Sequence, residues 1–227
     1  MTRNFLLAFL SLLLITAACD DDEVVVSADS ISTPQYLTFR AQPVACGAEA
    51  PDTATEVSFS APEDLALTGI VTAVVSTSCG EITIDFDVTS APATVNSFIF
   101  LAEEGYFDGT VSHRVIPEFM IQMGDPTASG FGGPGYVLPD ELPDSGFLYS
   151  RGTVAMANAG PNSGGSQFFL VLADAPLPPS FSVFGTVTEG LEVMDAIAAV
   201  PTIARTAGLE SSSPVETIYI ESIAIQR

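Results

Sequence analysis

The run Glu81-Ile82-Thr83-Ile84-Asp85-Phe86-Asp87 alternates polar and apolar side chains without a miss. Successive side chains of a strand point to opposite faces, so this pattern fits a strand with one buried and one wet face and no helix. Ile70 to Thr77, just before it, is rich in β-branched residues, and Cys79-Gly80 supplies a turn, so the pair predicts a hairpin. Six more strand-like runs follow at 112–116, 119–123, 153–156, 167–172, 183–187 and 216–225. Two segments change period. After Pro92-Ala93, the residues Val95, Phe98, Ile99 and Ala102 fall at helical spacing until Gly105. A second helix is predicted from Leu191 to Val200, with Val193, Met194, Ile197 and Ala198 as its buried face and Pro201 after it. Eight strands, two helices and Gly/Pro-rich loops predict a mostly β domain, a closed eight-stranded antiparallel barrel with a helix over each open end. Period 2 does not reveal closure, so pattern alone leaves a sandwich with added helices open.

Charge narrows the chemistry. The 227 residues carry 28 Asp plus Glu against 6 Lys plus Arg, a net of −22, and every one of the six cations is arginine. Without lysine there is no Walker-type phosphate loop, no Schiff-base enzyme and no Ser-Lys dyad. The Gly160 to Gly165 loop is therefore not read as a phosphate cradle. Cys19, Cys46, Cys79 and His113 lie 27, 33 and 34 residues apart, which is not the close spacing of a zinc site, so no metal and no cofactor is expected. Such an acidic chain repels phosphate backbones and anionic headgroups. Nucleic-acid binding is not expected, and any membrane attachment must be covalent or hydrophobic.

The N-terminus reads as an address. Arg3, the apolar stretch Phe5 to Ile15 and the small residues Thr16-Ala17-Ala18 form a secretory signal over residues 1–18, too short for a permanent span. Cys19 directly follows, an arrangement that resembles the bacterial lipobox, although Thr16 stands where Leu, Val or Ile is usual. The resemblance implies that Cys19 is lipidated and that the protein is exported and anchored to the cell membrane; simple secretion is the alternative. Residues 19–69 then read as an acidic, proline-containing tether, since Asp20 to Gly69 holds ten acids against the single Arg40. Val24 to Val26 and Tyr36 to Phe39 leave room in it for a docked strand. Cys46 and Cys79, in an export context, are candidates for a disulfide that pins the tether to the first hairpin; two free thiols is the other possibility.

Three stretches carry a family resemblance over residues 70–227. His113-Arg114-Val115-Ile116-Pro117-Glu118-Phe119-Met120-Ile121-Gln122-Met123-Gly124-Asp125 resembles the central signature of the cyclophilin-type peptidyl-prolyl cis-trans isomerases. Met156-Ala157-Asn158-Ala159-Gly160-Pro161-Asn162-Ser163-Gly164-Gly165-Ser166-Gln167-Phe168-Phe169 is similar to a second signature, and Phe181-Ser182-Val183-Phe184-Gly185 to a third. The insertion Pro126 to Leu142 is similar to that of bacterial members. Ser112 replaces the usual Phe before His-Arg. Pro176-Leu177-Pro178-Pro179-Ser180 replaces the usual Trp-Leu-Asp-Gly, which implies weak cyclosporin binding.

The resemblance implies the barrel with two capping helices and assigns roles. Arg114 matches the catalytic arginine, and Phe119, Met120, Phe169, Leu177 and Phe181 match the walls of a proline pocket. Gln122, Ala157, Asn158 and Gln167 match residues that hold the substrate backbone, while His113 is assigned to orienting its neighbours at the substrate site. Asp125 is read as a turn or hydrogen-bonding residue. The expected activity is isomerisation of X–Pro bonds in unfolded or partly folded exported polypeptides by a monomeric protein. From the residues alone, Arg114 could be a surface or ion-paired arginine and the five apolar side chains could be core. Two further functions stay open: a proline-binding chaperone or scaffold with little turnover, and an anchored structural protein in which the tether matters most.

Overall fold

The computed structural model describes residues 30–55, 57–205 and 210–227. The expected signal peptide, Cys19 and Val24 to Val26 lie outside the described residues. Among those described, no helix is long and apolar enough to cross a membrane.

The hairpin heads the domain as the alternation requires: β1 (Thr72–Thr77) pairs antiparallel with β2 (Gly80–Phe86), and Ile82, Ile84 and Phe86 point to the core. With β3 (Arg114–Ile116), β4 (Met120–Met123), β5 (Thr153–Met156), β6 (Phe168–Val171), β7 (Val183–Glu189) and β10 (Ile220–Gln226) they form one eight-stranded sheet. Its strand order is β10-β1-β2-β7-β5-β6-β4-β3. A small separate hairpin joins β8 (Thr202–Ile203) to β9 (Ser213–Pro214).

Closure differs from the expectation. The sheet is curled and open, because its edge strands β10 and β3 do not pair. The residues that meet the entrance to β10 are those upstream of β3: Gly109 N donates to Ile220 O, Ile220 N to Thr110 O and Ser112 N to Ile218 O, each at 2.9 Å. The three residues of β3 are left to another partner, and Val115 N donates to Ser212 O (2.8 Å) just before β9.

Among the described residues three α-helices are present rather than two. α2 (Pro92–Glu103) buries the predicted Val95, Phe98, Ile99 and Ala102, and also Thr94, Ser97, Phe100 and Leu101, so it is covered on nearly every side. Its N-cap, Ala91, has no side-chain acceptor, and a distant carboxylate supplies one. Glu141 accepts from Ala93 N (2.9 Å), Thr94 N (2.8 Å) and Thr94 Oγ1 (2.7 Å), satisfying amides that an α-helix leaves orphaned. α3 (Leu191–Ala198) turns Met194 and Ile197 inward, with Val193 and Ala198 packed beside them.

The third helix, α1 (Pro34–Arg40), lies in the stretch read as a tether, and from residue 30 onward that stretch packs against the domain. Tyr36 and Phe39 are fully buried, and they lie on a helix, not on the docked strand for which an extended tether leaves room. Tyr36 Oη donates to Gly109 O (2.8 Å) and accepts from Ala54 N (2.9 Å). The chain comes so close here that a Cβ on Gly109 would stand 2.5 Å from Asp52 O. Farther along, Phe59 meets Phe100 edge-on at 4.9 Å, and Asn96 accepts from Leu65 N and donates to Glu63 O. Proline and like charge argue for extension, but Phe59 of this segment packs on Phe100 of α2, and burying aromatic side chains outweighs the repulsion. Cys46 and Cys79 are joined by a disulfide, which ties the segment to the β1–β2 turn.

Two stability outcomes follow from these attachments. The disulfide closes 33 residues, so Cys46→Ser should lower the unfolding free energy by about 3 to 4 kcal/mol, read by denaturant titration of oxidised wild type against the variant. Glu141→Ala should cost about 1 to 2 kcal/mol by the same measurement, as expected for a lost helix cap.

Candidate active site

The register of β3, β4 and β6 decides which side chains meet. Val115, Ile121, Met123, Phe168 and Leu170 face the main core, so their neighbours in sequence must face the other way. On that second face Arg114 stands opposite Gln122 and Gln122 opposite Phe169, with Ala155 and Val183 continuing the row across β5 and β7. The next row is Ile116, Met120 and Val171. A polar head of Arg114 and Gln122 thus adjoins an apolar floor.

That floor is a cluster separate from the main core. Met120, Tyr149, Ala155, Phe169, Val171 and Ala175 are buried in it, and Phe119, Ala157, Leu177 and Phe181 pack against it. Phe169 meets Phe181 edge-on at 5.4 Å. All five side chains expected to wall a proline pocket are therefore together. Phe119 arrives through a turn in which its N–H donates to Ile116 O (3.0 Å), with Glu118 at φ 63°. A non-glycine residue held in that left-handed region costs on the order of 1 kcal/mol.

Arg114 is held at several points. Its Nη1 donates to Gln122 Oε1 (3.3 Å), Gln122 Nε2 donates to Gln167 Oε1 (2.9 Å), and Gln167 Nε2 donates to Gly132 O (2.9 Å). The opposite edge of the guanidinium, Nε and Nη2, donates to Glu210 Oε1 at 3.3 and 3.1 Å. The pair is partly open to water, Arg114 being 38% and Glu210 49% exposed, so it fixes orientation more than it adds stability. Ala157 and Asn158 line a cleft of about 240 Å³ with Gln122, Gln167 and the glycine-rich 130–133 loop. Ala157 N donates to Gln167 O (2.8 Å), and the Asn158 side chain donates to Ser180 O (2.8 Å), steadying the proline-rich loop. Asp125, fully buried, accepts from Thr127 N, Thr127 Oγ1 and Gly130 N, the turn role expected of it.

His113 stands apart from the apolar floor. It lines a second cleft, of about 470 Å³, with Arg114, Gln122 and Glu210, and its Nδ1 is buried without a hydrogen-bond partner. Burial holds its pKa down to about 4, against the pull of Asp125 and with the aid of Arg205 and Arg114. A neutral ring behind Arg114 adds no competing charge.

Two participants were not foreseen. Tyr149 Oη donates to Phe181 O (2.9 Å) and accepts from Phe181 N (3.2 Å), fixing the backbone of a pocket wall. Glu210 reaches Arg114 because the 210–213 stretch runs along the free edge of β3. An acid 96 residues from its partner leaves no local sequence signal. Among the described residues no cluster of three or more His, Cys, Asp or Glu could hold a metal.

Comparison with known proteins identifies the family and the fold. The family model for cyclophilin type peptidyl-prolyl cis-trans isomerases matches residues 72–225. A probable peptidyl-prolyl cis-trans isomerase B of Mycobacterium tuberculosis is 41% identical over 150 residues, covering 60% of this chain and 48% of the relative. The peptidyl-prolyl cis-trans isomerase B of Streptomyces anulatus is 43% identical over 173 residues, covering 68% and 95%. A solved cyclophilin type isomerase of Cryptosporidium parvum superposes with a TM-score of 0.64 at 29% identity, covering 70% of this chain and 99% of that one. The same isomerase solved in the presence of the dipeptide Ala-Pro gives 0.62 at 30% identity, covering 69% and 99%. The chain spans about half the length of the mycobacterial relatives it matches.

His113 is the single histidine, so its ring resonances can be followed by NMR without overlap. They should show no titration on lowering the pH to about 5. Because the folded value lies below the ordinary 6.5, the native state binds this proton less readily than the unfolded chain. Stability from this site is complete above about pH 6.5 and falls away toward pH 4. His113→Gln should remove that part of the pH dependence; a midpoint near 6.5 would contradict the burial.

Proposed function

Because the chain belongs to the cyclophilin-type peptidyl-prolyl cis-trans isomerase family, we propose that it interconverts the cis and trans forms of X–Pro bonds in exported polypeptides, with Arg114 as the group that favours the twisted amide. The observation that carries this is the outward row in which Arg114 and Gln122 stand next to Phe169 and the apolar floor.

Rotation about an X–Pro bond faces a barrier of ~18–20 kcal/mol because amide resonance must be broken, and no bond is made or cleaved. A catalyst needs neither nucleophile nor metal. It needs a dry cup for the pyrrolidine ring, contacts that hold the flanking chain, and a donor worth more to the twisted amide than to the planar one. Met120, Phe169, Phe119, Leu177 and Phe181 supply the cup. Gln122, Gln167, Ala157 and Asn158 line the cleft beside it and hold the substrate backbone there, and His113 backs Arg114 as a neutral ring. As the amide twists, the prolyl nitrogen regains its lone pair, and the Arg114 guanidinium donates to it. That group stays protonated at any physiological pH, and with Glu210 on one edge and Gln122 on the other it needs no reorganisation at the moment of reaction.

The proposal extends to location. A disulfide between Cys46 and Cys79 persists in oxidising compartments, which supports export and, with the lipobox-like Thr16-Ala17-Ala18-Cys19, a lipid anchor at Cys19. Two or three acyl chains there would hold the protein stably at the membrane, at about 0.8 kcal/mol per buried CH₂. Its substrates would be proline-containing chains not yet folded.

NMR exchange on a proline peptide tests this. The oxidised protein should accelerate cis–trans exchange, and Arg114→Ala should lower the rate by about 100-fold or more, as loss of one preorganised donor does. Its thermal stability should change little, since the partner it loses is exposed. No acceleration by the folded wild type would leave a proline-binding scaffold as the function.

A further inference from the structure

The cleft behind Arg114 does not end there. Its far wall is Arg205 with Ser213, and the same two residues form the near wall of a second cleft, of about 400 Å³, floored by Pro34, Gln35, Thr38 and Gln42 around α1. The two clefts share Arg205 and Ser213, which stand between the Arg114 guanidinium and the N-terminal segment. That segment lies before residues 72–225, the stretch matched to the family.

Arg205 is fixed at the junction. Its Nε donates to Ser213 Oγ (2.8 Å), and its guanidinium carbon lies 4.4 Å from the centre of the Phe39 ring, on the buried side of α1. Those contacts use Nε and one face of the group, and among the described residues Nη1 and Nη2 have no hydrogen-bond partner. Three arginines, Arg114, Arg151 and Arg227, have a carboxylate within ion-pair distance among the described residues; Arg205 has none. The other charges of the cleft are already matched, since Glu210 is engaged by Arg114 and His113 is neutral. Among the described residues Arg205 is thus an oriented guanidinium with no carboxylate partner, beside the site of a chain of net charge −22.

We propose that Arg205 is the anchor of an accessory subsite that binds a carboxylate side chain, Asp or Glu, on the substrate polypeptide at some residues' distance from the proline. This rests on the reading that the substrate lies across Arg114. Planar guanidinium and carboxylate match in geometry, and pre-orientation by Ser213 and Phe39 reduces what must be ordered on binding. The exposed Ile203 beside it gives the substrate backbone an apolar surface. The N-terminal segment thereby takes part in substrate choice, offsetting the repulsion that so acidic a protein exerts on acidic chains.

The test is a peptide series in which Glu, Gln or Lys is placed in turn at each position flanking one proline, with turnover read by NMR exchange and affinity by amide shift perturbation. At one position Glu should bind about five- to tenfold more tightly than Gln, the order of one charge-assisted contact, with kcat unchanged and Lys weakest. The gain should vanish in Arg205→Gln, survive in part in Arg205→Lys, and shrink as salt is added to the wild type. Should Arg205→Gln fold poorly, the Glu/Gln ratio and its salt dependence in wild type decide alone. Equal affinity for Glu and Gln at every position, or a preference retained in Arg205→Gln, overturns the subsite. Turnover of the Gln peptides without any Glu preference sinks the subsite only; a Glu preference in binding with no turnover of any peptide sinks the isomerase reading and leaves the subsite standing.

Discussion

One aromatic side chain organises the inside of the sheet. Phe98, carried by α2, lies between Phe86 of β2, Phe107, Phe168 of β6 and Phe184 of β7, with ring centres 5.0 to 5.3 Å away. Stacked, tilted and edge-on contacts of this kind are worth about 0.5–1.5 kcal/mol each beyond the area they bury. Their larger effect is on register. With Phe168 committed to Phe98, Phe169 has to face outward, and a slip of one residue would put the pocket wall into the core and the core into solvent. The site on the outer face is thus held in place by packing on the inner one.

The seam between β10 and β3 is the complement of that packing. A short β3 cannot reach β10, and its free edge is taken by the chain leading to β9, through Val115 and Ser212. This brings both Glu210 and Ser213 alongside the arginine strand. The same region meets α1, where Arg205 covers Phe39 and Arg40 lies 5.5 Å from the Tyr219 ring. Glu210 and Arg205 are thus supplied by the stretch beside the sheet's open edge, whereas Met120 and Phe169 come from strands inside the ladder.

What could be read in the sequence follows the range of the forces involved. Period 2 is a local property of a half-buried strand, and Glu81 to Asp87 and its partners fell where alternation put them. Signature residues such as Arg114, Gln122 and Phe169 were legible through resemblance, and the register brought them together. α1 is masked in the sequence by prolines and acids that argue for extension, yet a local signal is present: Thr33 accepts from Tyr36 N and Pro34 opens the helix, a capping pattern readable in the letters. Closure, the cap by Glu141, the clamp on Arg114 by Glu210 and the brace by Tyr149 depend on partners far apart in the chain. No periodicity encodes those.

The disulfide also divides the molecule mechanically. Tension applied to the N-terminal end of the chain runs through α1 to Cys46 and is there diverted by the covalent bond to Cys79, into the β1–β2 hairpin, where β1 is bonded on both sides by β10 and β2. Residues between the two cysteines are bypassed and keep covering α2 under load. α1 has no such protection: only its noncovalent seating, through Tyr36 and Phe39, resists a pull. Drawing it off the sheet would strip Arg205 of the ring beneath it, so a pull would reach the proposed carboxylate subsite before it reached the β1–β2 hairpin.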